Sequence, residues 1–464
     1  MELSGQNLSS LTIPVPNYDR SRIKVGIVHF GVGGFHRAHQ AMYVDRLLNQ
    51  GIARNWGICG VGVLPGDRRM RDALRDQDHL YTLTLVHPDG AREPRVIGSI
   101  IDFRYAPDDP ESVIELLADR AVRIISLTIT EGGYNAPLSA VFQLVTEALN
   151  RRRLRGRKSP TIVSCDNIVG NGHIARQAFT SYAEASNPAL AQWMDENTAF
   201  PNSMVDRITP VTTPEVTERL AAEFGVDDAW PVIAEPFAMW ALEDDFADGR
   251  PPLDRAGVTF VDDVSPYEAM KLRLLNASHQ GLCYFGYLAG YRLVHDAAQD
   301  PLLAELLCCY MDTEAMPTLT PVPGLREFRD GLLPRFANAH VRDTVARLCA
   351  ESSDRIPKWL LPVVRDNLRS GGSVRYSAAI VASWARYAEG VDEEGRPIDV
   401  VDPRADALVP IARSQRANPS AFLANRAVFG NLIEEPRFVE PYLWTLDSLH
   451  RDGARATVEK LLRP

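Results

Sequence analysis

Lysine is scarce in this chain: five residues, at positions 24, 158, 271, 358 and 460, stand against 45 arginines in 464 residues. Positions that need only charge have gone to arginine, so a lysine kept inside an apolar segment points to chemistry arginine cannot do, namely existing uncharged near neutral pH. Cysteine is nearly as sparse. The six, at 59, 165, 283, 308, 309 and 349, have no CxxC spacing and sit mostly in apolar surroundings. They read as buried thiols in a reducing compartment, not as a disulfide framework. No charge-free apolar stretch approaches 18 residues, and GLCYFGYLAG is only ten long, too short to span a bilayer. The opening MELSGQNLSSLTIPVPNYDRS has no basic region followed by an apolar run, so no signal peptide is expected and the expected setting is soluble and cytoplasmic.

The formal charge of −10 gives no general attraction to nucleic acid. One basic cluster, RRRLRGRK at 151–158, follows a helical pattern and precedes a strand. It reads as a solvated helix C-terminus, where positive charge suits the dipole. With 45% hydrophobic residues over this length the chain can bury more than one core and divide into domains.

After a leader of about 20 residues, KVGIVHF is an apolar strand that runs into GVGGFHRAHQAMYVDRLL. Gly31, Gly33 and Gly34 make a tight turn there, and the pattern after Phe35 is an amphipathic helix. Strand, glycine turn and helix in that order suit a dinucleotide's pyrophosphate, which needs close backbone approach and free N–H groups. The third glycine of the common GxGxxG form is missing; His36 stands in its place and implies a variant turn or wider packing. Further alternation follows: WGICGVGVL, VRIISLTIT and PTIVSCDN as strands, with RRMRDALRDQD, APLSAVFQLVTEALN and GHIARQAFTSYAEA as helices. Such alternation predicts an α/β fold with a largely parallel sheet. Binding groups then gather at the carboxyl ends of strands, where Gly31, Asp67, Thr130, Glu131 and Asn167 lie. Asp67 is placed to accept from the adenosine ribose hydroxyls or to cap the next helix, and the adjacent Arg68 and Arg69 leave NADP open beside the favoured NAD.

From about residue 262 the texture becomes helical to the end, in runs such as PLLAELLCCYMDTEAM, YSAAIVASWARYAEG and PYLWTLDSLHRDGARATVEKLL. The expected domains are 1–261 and 262–464, with DDVSPYE as the hinge. The first helix of the second domain, EAMKLRLLNASHQG, holds Glu268, Lys271, Asn276 and His279. At about 100° per residue the last three fall within roughly 140° of arc, so an amine, an amide and an imidazole converge on one small polar substrate, expected in the cleft between domains. Oxidising an alcohol requires loss of its O–H proton, which a neutral lysine can take, while carboxamide N–H groups steady the developing alkoxide. Glu268, three residues before Lys271, can relay the proton outward or pair with it as an ordinary ion pair.

Several segments resemble the mannitol 2-dehydrogenase family of polyol-specific long-chain dehydrogenases, which also includes arabinitol dehydrogenases and hexuronate reductases. The matching pieces are VHFGVGGFHRAHQAMYVD, WGICGVGVL, QDHLYTL, SLTITEGGYN, SCDNIVGNG, FPNSMVDRITP, KLRLLNASHQGL, RIPKWLLP and FGNLIEEPRFVEPY, in order over nearly the whole chain. The resemblance implies an N-terminal Rossmann-type dinucleotide-binding domain with a C-terminal mainly α-helical domain. It implies metal-free, NAD-dependent oxidation of a polyol secondary alcohol to a ketose, with D-mannitol and D-fructose as the favoured pair. Lys271 matches the family's general base, Asn167 and Asn276 its oxyanion-binding asparagines, His279 its alcohol-orienting histidine and Glu268 its proton-exchange carboxylate. Asp206 and Lys358 match active-site positions and are expected to contact substrate. Cofactor contacts are expected at Gly31, Val32, Gly33, Gly34, Phe35, Arg37, Asp67, Thr130 and Glu131.

Rival readings are D-arabinitol as substrate, a hexuronate held by Arg355 or Arg365, and a non-catalytic NAD-binding protein. A zinc site from His36, His39 and Cys59 is disfavoured, because no CxxC or HExxH companion accompanies it. No GxSxG elbow is present, and Cys165 beside Asp166 lacks a thiolate-stabilising partner. No heptad repeat appears, and a monomer is expected.

Overall fold

The structure is a computed structural model and describes residues 1–135 and 140–463. The chain forms two compact units, Met1–Ser265 and Pro266–Pro464, so the division falls four residues beyond the expected 261/262 boundary.

Eleven strands are described in the first unit: β1 Val25–Phe30, β2 Gly57–Gly62, β3 Tyr81–Val86, β4 Arg92–Ile97, β5 Ile100–Tyr105, β6 Ile124–Leu127, β7 Thr161–Ser164, β8 Ser203–Asp206, β9 Val232–Ala234, β10 Met239–Glu243 and β11 Thr259–Val261. Five form a parallel sheet in the order β5-β2-β1-β6-β7. The chain winds outward from β1 in one direction and then returns to wind in the other, which opens a crevice at the carboxyl ends of β1 and β6. Strands β1, β2, β6 and β7 are buried almost throughout because both faces of this sheet are covered. Apolar clusters lie on its two sides, one including Met42, Leu47, Ile58 and Leu74, the other Val28, Leu117, Val145 and Phe179.

Two further mixed sheets, β4-β3-β9 and β11-β10-β8, were not separated by the sequence pattern. The leader packs Leu3 and Ile13 with Leu80, Val96, Leu220 and Val226. The helix expected over 136–150 runs Ala140–Leu154, and its first four expected residues lie outside the described residues.

The basic cluster at the end of that helix is not simply solvated. Arg152 is 1% exposed and donates to the carbonyls of Leu117, Asp119, Val122 and Lys158, pinning the helix to the loop before β6. Desolvation pulls its pKa down to about 10. Arg151 bridges Glu111, Glu115 and Glu147, and Arg155 meets Glu115.

The second unit is helical, and no strand ladder is described in it. Its inner helix, Arg375–Tyr387, is buried on every side from Ser377 to Tyr387 and packs against Ala277–Leu288 and Pro436–Leu462. Glu314 caps its start, accepting from the Tyr376 and Ser377 amides and the Ser373 and Ser377 hydroxyls. Among the described residues no helix is long and apolar enough to cross a membrane.

Candidate active site

In the first unit the turn after β1 crosses the crevice beside β6. Gly31 sits at φ +89°, and a Cβ there would fall inside the van der Waals shell of the Thr128 carbonyl oxygen. Only glycine meets both demands. The Thr128 hydroxyl donates to the Gly31 carbonyl at 2.6 Å, and the Thr128 amide to the Phe30 carbonyl at 3.0 Å. Gly33 is exposed, and a Cβ there would meet only the Gly31 carbonyl oxygen, at 3.9 Å. Val32 is buried, and a Cβ on Gly60 of β2 would lie 2.7 Å from its Cγ2, so Val32 offers only backbone to a ligand.

His36 explains how the turn does without its third glycine. Its ring stacks on His29 of β1, whose Nδ1 lies 2.8 Å from the Ser126 hydroxyl and whose Nε2 lies 3.0 Å from that of Thr128. The helix yields as well. It runs Gly34–Ala38, breaks at His39 and restarts as Gln40–Asn49. Phe35 is half-buried and stacks on His39 at 4.8 Å. Arg37 is expected at the cofactor, but its guanidinium is buried, donating to the Trp230 carbonyl and lying over the Tyr81 ring. It is engaged in the fold.

Asp67 opens the helix Asp67–Asp76 after β2, and Gly66, not Asp67, is the cap. One carboxylate oxygen accepts from the Val63 and Leu64 amides at 2.9 Å, closing the loop. Arg68 reaches Asp108 at 2.5 Å and covers Tyr105, while Arg69 covers Trp230. Thr130 and Glu131 are exposed at the end of β6, and Thr130 takes φ +63°. That strained turn is clamped by buried Asp166, which accepts from the Thr130 amide at 2.7 Å and the Tyr134 hydroxyl at 2.8 Å. Asp166 also precedes Asn167, which is exposed at the end of β7. This clamp was missed by sequence reasoning; an acidic residue just beyond a strand, before an exposed asparagine, was its only trace. Asp206 ends β8 and is buried, and the neighbouring Arg207 donates to the Glu235 and Ala38 carbonyls.

In the second unit the helical reading of EAMKLRLLNASHQG needs correction. Ser265–Met270 is α-helical, Lys271–Asn276 is π-helical, and α-helix resumes at Ala277–Leu288. A five-residue hydrogen-bonded step stacks residue i over i+5, so Lys271 and Asn276 share a face that an α-helix would split by about 140°. His279, three residues on in regular helix, continues that face. Lys271 is 8% exposed and Asn276 7% exposed. The Asn276 amide oxygen is buried and, among the described residues, has no hydrogen-bond partner, an expense that a substrate hydroxyl would remove. His279 lies 4.3 Å from the Phe336 ring, and burial pushes its pKa down to about 3, against the opposing pull of Asp343. It is therefore a neutral imidazole at physiological pH, with one donor and one acceptor nitrogen. Glu268 is half-buried on the preceding helix, and Lys358 is exposed near the end of Ser352–Trp359.

Among the described residues no group of three His, Cys, Asp or Glu is placed to hold a metal. His36 is stacked on His29, His39 faces the Met239 carbonyl at 2.9 Å, and the Cys59 thiol faces Asp102.

Residues 25–255 match the mannitol dehydrogenase Rossmann domain and residues 263–450 the mannitol dehydrogenase C-terminal domain. The chain belongs to the mannitol dehydrogenase family. It is 42% identical to a mannitol 2-dehydrogenase of Phaeosphaeria nodorum, over 99% of this chain and 85% of that one. Among solved structures it resembles the Pseudomonas fluorescens mannitol 2-dehydrogenase ternary complex with NAD and D-mannitol, at 40% identity and TM-score 0.84 over 100% of both chains. A substrate-free D-sorbitol dehydrogenase aligns at 37% identity and TM-score 0.93, over 99% of this chain and 100% of that one. Family membership fits the parallel sheet with its glycine turn, followed by the helical unit that carries Lys271, Asn276 and His279.

Proposed function

We propose that this chain is an NAD-dependent polyol dehydrogenase that oxidises a secondary alcohol to a ketose, with D-mannitol to D-fructose as the principal reaction. The observation that carries this reading is the full-length likeness to a mannitol 2-dehydrogenase whose structure holds NAD and D-mannitol. The residues present fit the cofactor: Gly31 leaves the crevice open, Gly34 offers its backbone N–H at the start of a helix while the Gly33 N–H is held by the Gly31 carbonyl at 2.7 Å, and Asp67, Thr130 and Glu131 stand at neighbouring strand ends. NAD bound there would supply the acceptor for the hydride of the carbinol carbon. Arg68 supports NAD over NADP, because a 2′-phosphate would have to compete with Asp108 for it.

In this reading Lys271 accepts the hydroxyl proton as the alcohol is oxidised, and Glu268 passes it toward solvent. Asn276 and Asn167 donate amide N–H groups to the developing alkoxide, and neutral His279 orients the hydroxyl without adding a charge that would hold the product. Asp206 and Lys358 contact the remaining hydroxyls. A hexuronate's carboxylate would have to displace Glu351 from Arg355, to which it is ion-paired at 2.7 Å. The enzyme works as a monomer in the cytoplasm. That compartment agrees with six unpaired cysteines, and light scattering showing a dimer mass would contradict the monomer.

The test is steady-state kinetics with mannitol, sorbitol, arabinitol and fructuronate, each with NAD and NADP. The reading expects the highest kcat/KM for mannitol with NAD. A hundredfold preference for the uronate, or NADH binding without turnover of any polyol or ketose, would overturn it.

A further inference from the structure

Among the described residues of the second unit two segments are π-helical, Lys271–Asn276 and Met311–Ala315, and the hydroxyl of the residue before the second bonds to the first. At the end of the first, the Ala277 amide reaches back to the Leu272 and Leu274 carbonyls before α-helical bonding resumes. The step from five-residue to four-residue bonding passes over one carbonyl, that of Arg273. It accepts instead from the hydroxyl of Tyr310, at 2.9 Å. Tyr310 is fully buried and ends the helix Pro301–Tyr310, directly before the second π segment. That segment is itself fixed, since Glu314 is held by four donors at the start of the helix Arg375–Tyr387 and the Glu314 carbonyl accepts from Asn367 at 2.9 Å. The Arg273 side chain gives a second hold, donating to the Thr318 carbonyl at 3.0 Å and to Asp366 at 2.6 Å.

We propose that Tyr310 is a positioning residue for polyol oxidation: its hydroxyl, seconded by the Arg273–Asp366 pair, holds the π register that sets Lys271 and Asn276 on one face. The inference rests on the polyol-dehydrogenase reading above. Without the hydroxyl, the carbonyl of half-buried Arg273 loses the donor the fold provides, and the register that relieves it is α-helical, in which every carbonyl meets an amide. That register turns Asn276 from Lys271 by about 140°, so base and oxyanion donor no longer meet the same oxygen.

The experiment compares the full-length parent enzyme with Tyr310→Phe, which keeps the ring, and with Asp366→Asn at a half-exposed site. Each is assayed with NAD and mannitol across pH, with NADH affinity and urea unfolding measured in parallel. Tyr310→Phe is expected to lower kcat by about tenfold to a hundredfold and to shift the pH profile of kcat, with NADH affinity unchanged. Asp366→Asn moves kcat in the same direction by less, and keeps the test decisive should Tyr310→Phe not fold. A purely structural tyrosine would lower the urea midpoint while kcat and its pH profile stay at parental values in every variant that folds, and that result overturns the proposal. A parent inactive on every polyol would instead overturn the functional reading, and this inference with it.

Discussion

The imidazole of His36 lies flat against that of His29, with ring centroids 3.4 Å apart and an interplanar angle of 11°. The pair fills the space beneath the turn that a third glycine would otherwise leave for close strand-to-helix packing. Burial holds both rings neutral, pushing His29 down to about 3 and His36 well below its ordinary value. The unfolded chain binds protons on both below its ordinary pKa of about 6.5, whereas the folded chain does not, so stability falls as pH drops from there toward the folded values. His36→Phe keeps a stacked ring and removes one of these protons. Urea unfolding from pH 6.5 to pH 4 is expected to show a dependence on pH shallower than the parent's by about 1.4 kcal/mol per unit. A slope equal to the parent's would show that His36 is not held neutral.

Gly31→Ala places a methyl group against the Thr128 carbonyl at a backbone φ of +89°. Strain of this kind costs about 1–3 kcal/mol, and the turn moves to relieve it. The NADH dissociation constant from fluorescence titration is expected to rise by roughly tenfold or more. An unchanged constant would remove the turn from the cofactor site.

Arg152→Met deletes a buried guanidinium that serves four carbonyl groups. The lost bonds and the stranded carbonyls are expected to destabilise the fold by about 2–4 kcal/mol in urea titrations. A solvated cluster would give a change near zero, which is the outcome that contradicts the structural assignment.

The sheet and the helical unit were legible because strand and helix periods differ and because strand, glycine turn and helix follow one another from Val25 to Asn49. The two small mixed sheets were not, since each is completed by strands of three or four residues, such as Val232–Ala234 and Ser203–Asp206, that carry too few positions to show a period. At the site, Lys271, Asn276 and His279 stood out by residue type, but the reason they share a face did not. A π step leaves the apolar pattern of KLRLLN intact and depends on a tyrosine 37 residues beyond Arg273, which no local period records. The burial of Arg37 was hidden for a similar reason: only the fold brings the Trp230 carbonyl to its guanidinium.

The central claim is that Lys271 is the general base of an NAD-dependent polyol oxidation. Lys271→Ala, confirmed as folded by its urea transition and by unchanged NADH affinity, is to be assayed with NAD and saturating mannitol at neutral pH. The account predicts kcat lower by roughly a hundredfold or more; a rate within about threefold of the parent would contradict it, because proton removal would then not depend on that amine.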